Sequence, residues 1–165
     1  MSFADSYLGR LRQAVGHELL LCPGAQIVVL RRDGSILLQR RTDNGVWEIP
    51  AGSCEPGQSF VEAAIAELQE ETGICATANQ LEAFASYSDP KGHHLIYPNG
   101  DEVQAFALCF LLRGDAFQVR PEDAEATHHV WHPLEAPLPL PLHPPTREVL
   151  RLLDAYLETK TFQAH

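Results

Sequence analysis

Between Ser59 and Gly73 the chain has little choice but to be a helix. That helix gathers negative charge on one side. Ser59 followed three residues later by Glu62 is a capping box that opens a helix. Gly73 closes it, because glycine accepts the left-handed backbone that follows a last turn. At about 100° per residue, Val61, Ala64, Ile65 and Leu68 form one apolar stripe. Glu67, Glu70 and Glu71 fall within an arc of about 100° beside it, at i, i+3 and i+4 spacing. Ala63 lies on the same side and leaves room for something to approach. A solvated acidic face is the plain account of such a cluster, in which like charges cost a few tenths of a kcal/mol. A hard divalent cation, which takes oxygen ligands and shares them with substrate phosphates, would reverse that sign.

The 165 residues suit a single domain, 1–165. The pattern is mixed α and β. Phe3, Tyr7, Leu8, Leu11 and Val15 predict an N-terminal helix over about 3–15. AQIVVLRRDGSILLQRR, residues 25–41, reads as two strands joined at Asp33-Gly34. After the loop TDNG comes the short apolar stretch VWEIP. EAFASYS, EVQAFALCFLLR and HHVWH read as strands. The segment at 133–145 holds six prolines, so it is neither helix nor central strand and is expected to be an extended connector. An amphipathic helix over about 146–157 follows.

Composition narrows the partners. A formal net charge of −10 opposes tracking along a nucleic-acid polymer. No apolar run is long enough to span a membrane, and MSFADSYLGRLRQ lacks the apolar core of a signal peptide. Cys22, Cys54, Cys75 and Cys109 are scattered without a CxxC pair, which fits a reducing, cytoplasmic setting.

The loop IPAGSCEPGQS leads into the acidic helix, and its Gly52 lets backbone approach a ligand closely. Together, Gly52, Glu67, Leu68, Glu70, Glu71, Gly73 and Ile74 resemble the Nudix box. DNGVWEIPAG and YPNGDEVQAF are also similar to a bacterial branch of that family, and the resemblance covers roughly residues 5–155. It implies an α/β fold, a Nudix-type α/β/α sandwich with a mixed central sheet. It implies hydrolysis of a nucleoside diphosphate linked to another moiety (a nucleoside triphosphate, ADP-ribose or a sugar nucleotide), with Mg²⁺ or Mn²⁺. By the same resemblance Glu67, Glu70 and Glu71 bind metal with the backbone carbonyl of Gly52. Glu67 or Glu71 takes the proton of the attacking water, with Glu125 as a candidate from a later loop. A homodimer is one expected state.

Further residues carry weaker readings. Arg40 and Arg41 end a strand that leads toward the box and are candidates to offset phosphate charge. Trp47 is either a stacking surface for a base or a packed core indole. His93 and His94 fall in a loop before a Pro-Asn-Gly turn. Pro90 lies near the place where ADP-ribose-hydrolysing relatives carry a proline.

Two positions depart from the pattern. Gln58 stands where the family has a glutamate, and Ala66 stands where it has an arginine that helps orient the next glutamate. A non-catalytic nucleotide-binding or regulatory domain therefore stands beside the enzyme. Restoring both, by Gln58→Glu with Ala66→Arg, raises kcat at little-changed KM if these losses limit turnover. It does not if the site has been rebuilt around glutamine and alanine.

Overall fold

A computed structural model describes residues 3–97, 99–120 and 126–165. The elements, in chain order, are α1 (Tyr7–Val15), β1 (Leu20–Leu30), β2 (Ser35–Arg41), β3 (Trp47–Glu48), β4 (Ala51–Ser53), α2 (Phe60–Thr72), β5 (Leu81–Tyr87), α3 (Pro90–His93), β6 (His94–Ile96), β7 (Glu102–Arg113), β8 (Ala126–Pro133), α4 (Pro144–Thr159) and β9 (Gln163–Ala164).

The strands join in one mixed sheet with a spine in the order β3-β2-β1-β7-β5-β9. Its centre is a long parallel ladder in which Leu20 to Leu30 of β1 match Val103 to Arg113 of β7. Covered on both faces, such a pair reads as an unbroken apolar run. Ile27, Val28 and Val29 are accordingly all fully buried. On one face Ala25, Ile27, Val29, Leu37, Phe110 and Leu112 pack against Ala63, Ala64 and Leu68 of α2. On the other, Val28, Ile36, Leu38, Phe84 and Leu111 pack against Val149, Leu150, Leu152 and Leu153 of α4. This is the expected α/β/α sandwich.

The hairpin forms where Asp33-Gly34 predicts it. Gly34 takes φ 81°, and the Asp33 carboxylate accepts bonds from the Ser35 N–H at 2.9 Å and hydroxyl at 2.6 Å. The first strand starts five residues before its expected position, because pairing with β7 carries it through Pro23-Gly24, a pair that reads as a turn in isolation. The N-terminal helix starts later than expected, at Tyr7, where Ser6 accepts the Gly9 N–H at 3.0 Å. The last helix starts earlier, with Pro144 and Pro145 in its first turn, where missing N–H groups cost nothing. Between β8 and α4 the proline-rich segment is an extended connector. Pro141 accepts the Trp47 N–H and His143 donates to the Trp47 carbonyl, each at 2.8 Å. His93 and His94 are not loop residues: they close α3 and open β6, and His93 is buried against the Tyr87 ring. Pro90 is the first residue of α3.

The acidic helix forms as expected. Ser59 and Glu62 exchange both capping-box bonds, and Gly73 takes the left-handed conformation. Its buried face is rotated from the predicted stripe, to Ala63, Ala64, Leu68, Glu71 and Thr72. Ala63 is therefore core rather than open space. Leu68, fully buried beneath the glutamates, fixes α2 to the sheet. Leu68→Ala should lower the unfolding free energy by about 2–5 kcal/mol, measured by urea denaturation.

Candidate active site

A cleft of about 630 Å³ lies beside α2, with the β4 loop, the start of α1 and the turn between β6 and β7 as its other walls. Its acidic side depends on two glycines. A Cβ on Gly52 would stand 1.9 Å from the Glu67 carboxyl carbon and 2.0 and 2.4 Å from its oxygens. The carboxylate thus occupies the space where any other residue would carry a side chain. A Cβ on Gly24 would stand 2.6 Å from the Gly52 carbonyl oxygen. Gly24 must be glycine for β1 and β4 to lie this close, whereas a side chain at position 52 would push the Glu67 carboxylate out of its place.

Glu71 turns inward and accepts the Ala51 N–H at 3.0 Å. Burial pushes its carboxyl well above the ordinary carboxylate range, and the charges of Glu48 and Glu67 push it further. Glu48, from β3, is also buried and raised by burial, opposed mainly by Arg41. The Gln39 amide donates to Glu48 at 3.5 Å. Arg41 reaches Glu48 at 3.3 Å and grips both Asp43 oxygens at 2.9 and 2.8 Å. His143 Nδ1 lies 3.6 Å from Glu48. Burial first, and then the Arg41 charge, lower its pKa to about 4, so it is neutral at neutral pH and does not balance Glu48.

Oxygen donors, a buried carboxylate crowded by other carboxylates, and a glycine against which Glu67 lies together suit a hard divalent cation. The box does not present a finished cage: among the described residues no three acidic, histidine or cysteine side chains form a closed ligand group. That is compatible with Mg²⁺, which usually keeps several waters and takes one or two carboxylates plus substrate phosphates.

The structure brings Gly52, Glu67, Glu70, Glu71 and Arg41 to one cleft. It leaves two expected substrate-binding residues outside the cleft lining. Alternate residues of a strand point to opposite faces, and Arg40, next to Arg41, instead donates to the Gly45 carbonyl at 3.0 Å. Trp47 packs against the core that faces α4. Glu125 lies outside the described residues. Of the three glutamates expected beside the apolar stripe, Glu71 lies on the packed face and is 8% exposed.

Sequence reasoning missed Glu48, and a charge inside the apolar stretch VWEIP was the signal for it. It also missed the far wall of Leu8, Arg12, Tyr97 and Asp101. Arg12 is buried and donates to the carbonyls of Gly16 and Glu18 at 3.1 and 2.5 Å. It also lies 3.6 Å from Asp101, which accepts a bond from His17 at 2.8 Å. No local pattern announces contacts that join positions so far apart in the chain.

The NUDIX domain model matches residues 20–153, and the chain belongs to this family of hydrolases. An RNA pyrophosphohydrolase of Pelagibacter ubique is 29% identical over 126 residues, covering 72% of this chain and 80% of that protein. A putative 8-oxo-dGTP diphosphatase of Bacillus subtilis is 37% identical over 87 residues, 51% of this chain and 57% of that protein. A crystal structure of a MutT NUDIX hydrolase from Burkholderia pseudomallei shares the fold, with TM-score 0.66 and 24% identity over 81% of this chain and 98% of that one.

Glu71 gives the site a pH signature. Its folded pKa lies above the ordinary 4.5. Below pH 4.5 it is protonated folded or unfolded and its burial carries no charge penalty. The penalty grows as pH rises toward the folded value. In metal-free protein, Glu71→Gln should therefore be more stable than the parent at neutral pH. Paired urea titrations should show the two stabilities converging as pH falls below 4.5.

Proposed function

We propose that this hydrolase cleaves the phosphoric anhydride of a nucleoside diphosphate whose second phosphate carries an uncharged group, with Mg²⁺ or Mn²⁺ as cofactor. The charge balance of the cleft carries the reading. Beside the three box glutamates its lining includes Asp43, Glu48, Glu55 and Asp101, against the arginines Arg12 and Arg41. Both arginines are engaged by protein acceptors. Such a cleft takes a phosphate only together with a cation.

Glu67, Glu70 and Glu71 are the residues proposed to hold that cation, with the Gly52 carbonyl. When bound, it neutralises phosphate oxygens and lowers the pKa of a water. Glu67 is the proposed general base. It faces the cleft against Gly52, whereas Glu71 is buried and already accepts the Ala51 N–H. Arg41, fixed by Asp43 and Glu48, orients the anionic substrate from the side.

Charge also bears on which diphosphate. A diphosphate diester carries about two negative charges and a triphosphate about four, and an extra charge 4 Å from a carboxylate costs about 4 kcal/mol near a protein surface. Bound cations offset part of this. The expected preference in kcat/KM for a diester such as a sugar nucleotide over a nucleoside triphosphate is about tenfold or more.

The central test is hydrolysis in ¹⁸O-labelled water with Mg²⁺ or Mn²⁺ across a panel of diphosphate derivatives. Label should enter a phosphate product. Glu67→Gln should lower kcat by roughly 10²–10⁴-fold, far more than it weakens substrate affinity. Gln58 and Ala66 are the observation on the side of a binding domain. Tight nucleotide binding with no labelled product anywhere in the panel would leave that reading standing.

A further inference from the structure

The two box departures leave neutral residues, Gln58 and Ala66, at the two positions where the family pattern has a glutamate and an arginine. Here the loop between Gly52 and α2 is held from another direction. The Glu55 carboxylate accepts the Tyr7 N–H through both oxygens, at 2.8 and 3.0 Å. Tyr7 is the first residue of α1, so this negative group sits at the end of a nine-residue helix where free N–H groups and the helix dipole favour an anion. The adjacent Ser6 caps the same turn through the Gly9 N–H.

The connection continues into the loop. The Gln58 side-chain carbonyl accepts the Glu55 N–H at 2.9 Å, and the Gln58 N–H donates to the Glu55 carbonyl at 3.0 Å. Ser59 and the α2 capping box follow directly. At its other end α1 is fixed by Arg12, through the Gly16, Glu18 and Glu102 carbonyls. A strut therefore runs from the far wall of the cleft, through α1 and Glu55, to the loop that leads out of Gly52. Ala66, whose side chain is a single methyl group, also lines the cleft.

We propose that Glu55 is a positioning residue, and that its cap on α1 holds the box loop in a chain whose positions 58 and 66 are glutamine and alanine. It sets Gly52 against Glu67 from outside the box helix. Gln58 fits this arrangement because a neutral amide bonds the Glu55 backbone without adding charge beside the Glu55 carboxylate. This rests on the reading above that the box holds a divalent cation.

The test sets Glu55→Ala and Glu55→Gln in two backgrounds: the protein as it stands, and the protein carrying Gln58→Glu with Ala66→Arg. Calorimetry with Mn²⁺ and steady-state kinetics on a diphosphate diester are both read. A displacement of about 1 Å costs up to 10²-fold, so Glu55→Ala in the parent should lose roughly 10- to 100-fold in kcat, with KM within about twofold. Its Mn²⁺ affinity should fall with kcat. Glu55→Gln, which keeps a carbonyl for Tyr7, should lose less. In the restored background the same substitutions should change kcat and Mn²⁺ affinity by less than about twofold. An unchanged parent, a loss confined to KM, or an equal loss in both backgrounds overturns the proposal. If the parent turns over no diphosphate yet Mn²⁺ affinity follows the expected pattern, the positioning role stands and the hydrolytic reading fails.

Discussion

The closest approach on which this molecule depends is the Glu67 carboxylate lying on the backbone of Gly52, where a Cβ would stand 1.9 Å from its carboxyl carbon. A side chain at position 52 would displace that carboxylate from the cleft. Gly24 sets a stricter limit within the sheet, where its neighbour β4 brings the Gly52 carbonyl within 2.6 Å of where a Cβ would stand on β1, whose parallel ladder with β7 is the centre of the sheet. Helix, short strand and central strand thus meet at two positions that have no side chains. The acidic cluster is held there by the fully buried Leu68 beneath it.

Around this contact the fold concentrates charge where it is hardest to keep. Glu48 and Glu71 are both buried and both raised by burial, with the Gln39 amide at hydrogen-bond reach of Glu48 and Arg41 at its edge. A packed core would place apolar groups there. Buried carboxylates with incomplete compensation are a known mark of sites that work on charge. The other wall has the opposite design: Arg12 is matched by Asp101 and by backbone carbonyls, and Asp101 by Arg12, His17 and Asn99. One side is unfinished and the other is closed.

What could be read from the sequence divides along the range of the forces involved. The α2 boundaries, the Asp33-Gly34 hairpin and most strands follow from caps, turn residues and periodicity, all of which act within a few residues. The box spacing similarly marked Gly52, Glu67, Glu70 and Glu71 in advance. The start of β1 did not follow, because Pro23-Gly24 is strand by virtue of β7, some eighty positions later, and of β4 on its other side. The inward turn of Glu71 depends on the Ala51 N–H, and the distance of Arg40 from the cleft depends on which face of β2 looks inward. Glu55 looks like one more exposed loop acid until α1 is folded above it.

The two residues of β9 have a wider role than their length suggests. They lie along β5, with Gln163 and Ala164 beside Ala85 and Ser86, while His165 donates to Ser86 and accepts from Ser88, each at 2.9 Å. That side of β5 would otherwise present unpaired N–H and carbonyl groups, a ready template for a strand from another molecule. The cover is short, and the neighbouring Phe162 is 45% exposed. A latch of a few hydrogen bonds at the sheet margin thus stands where a strand from a second molecule would otherwise pair with Ala85 and Ser86.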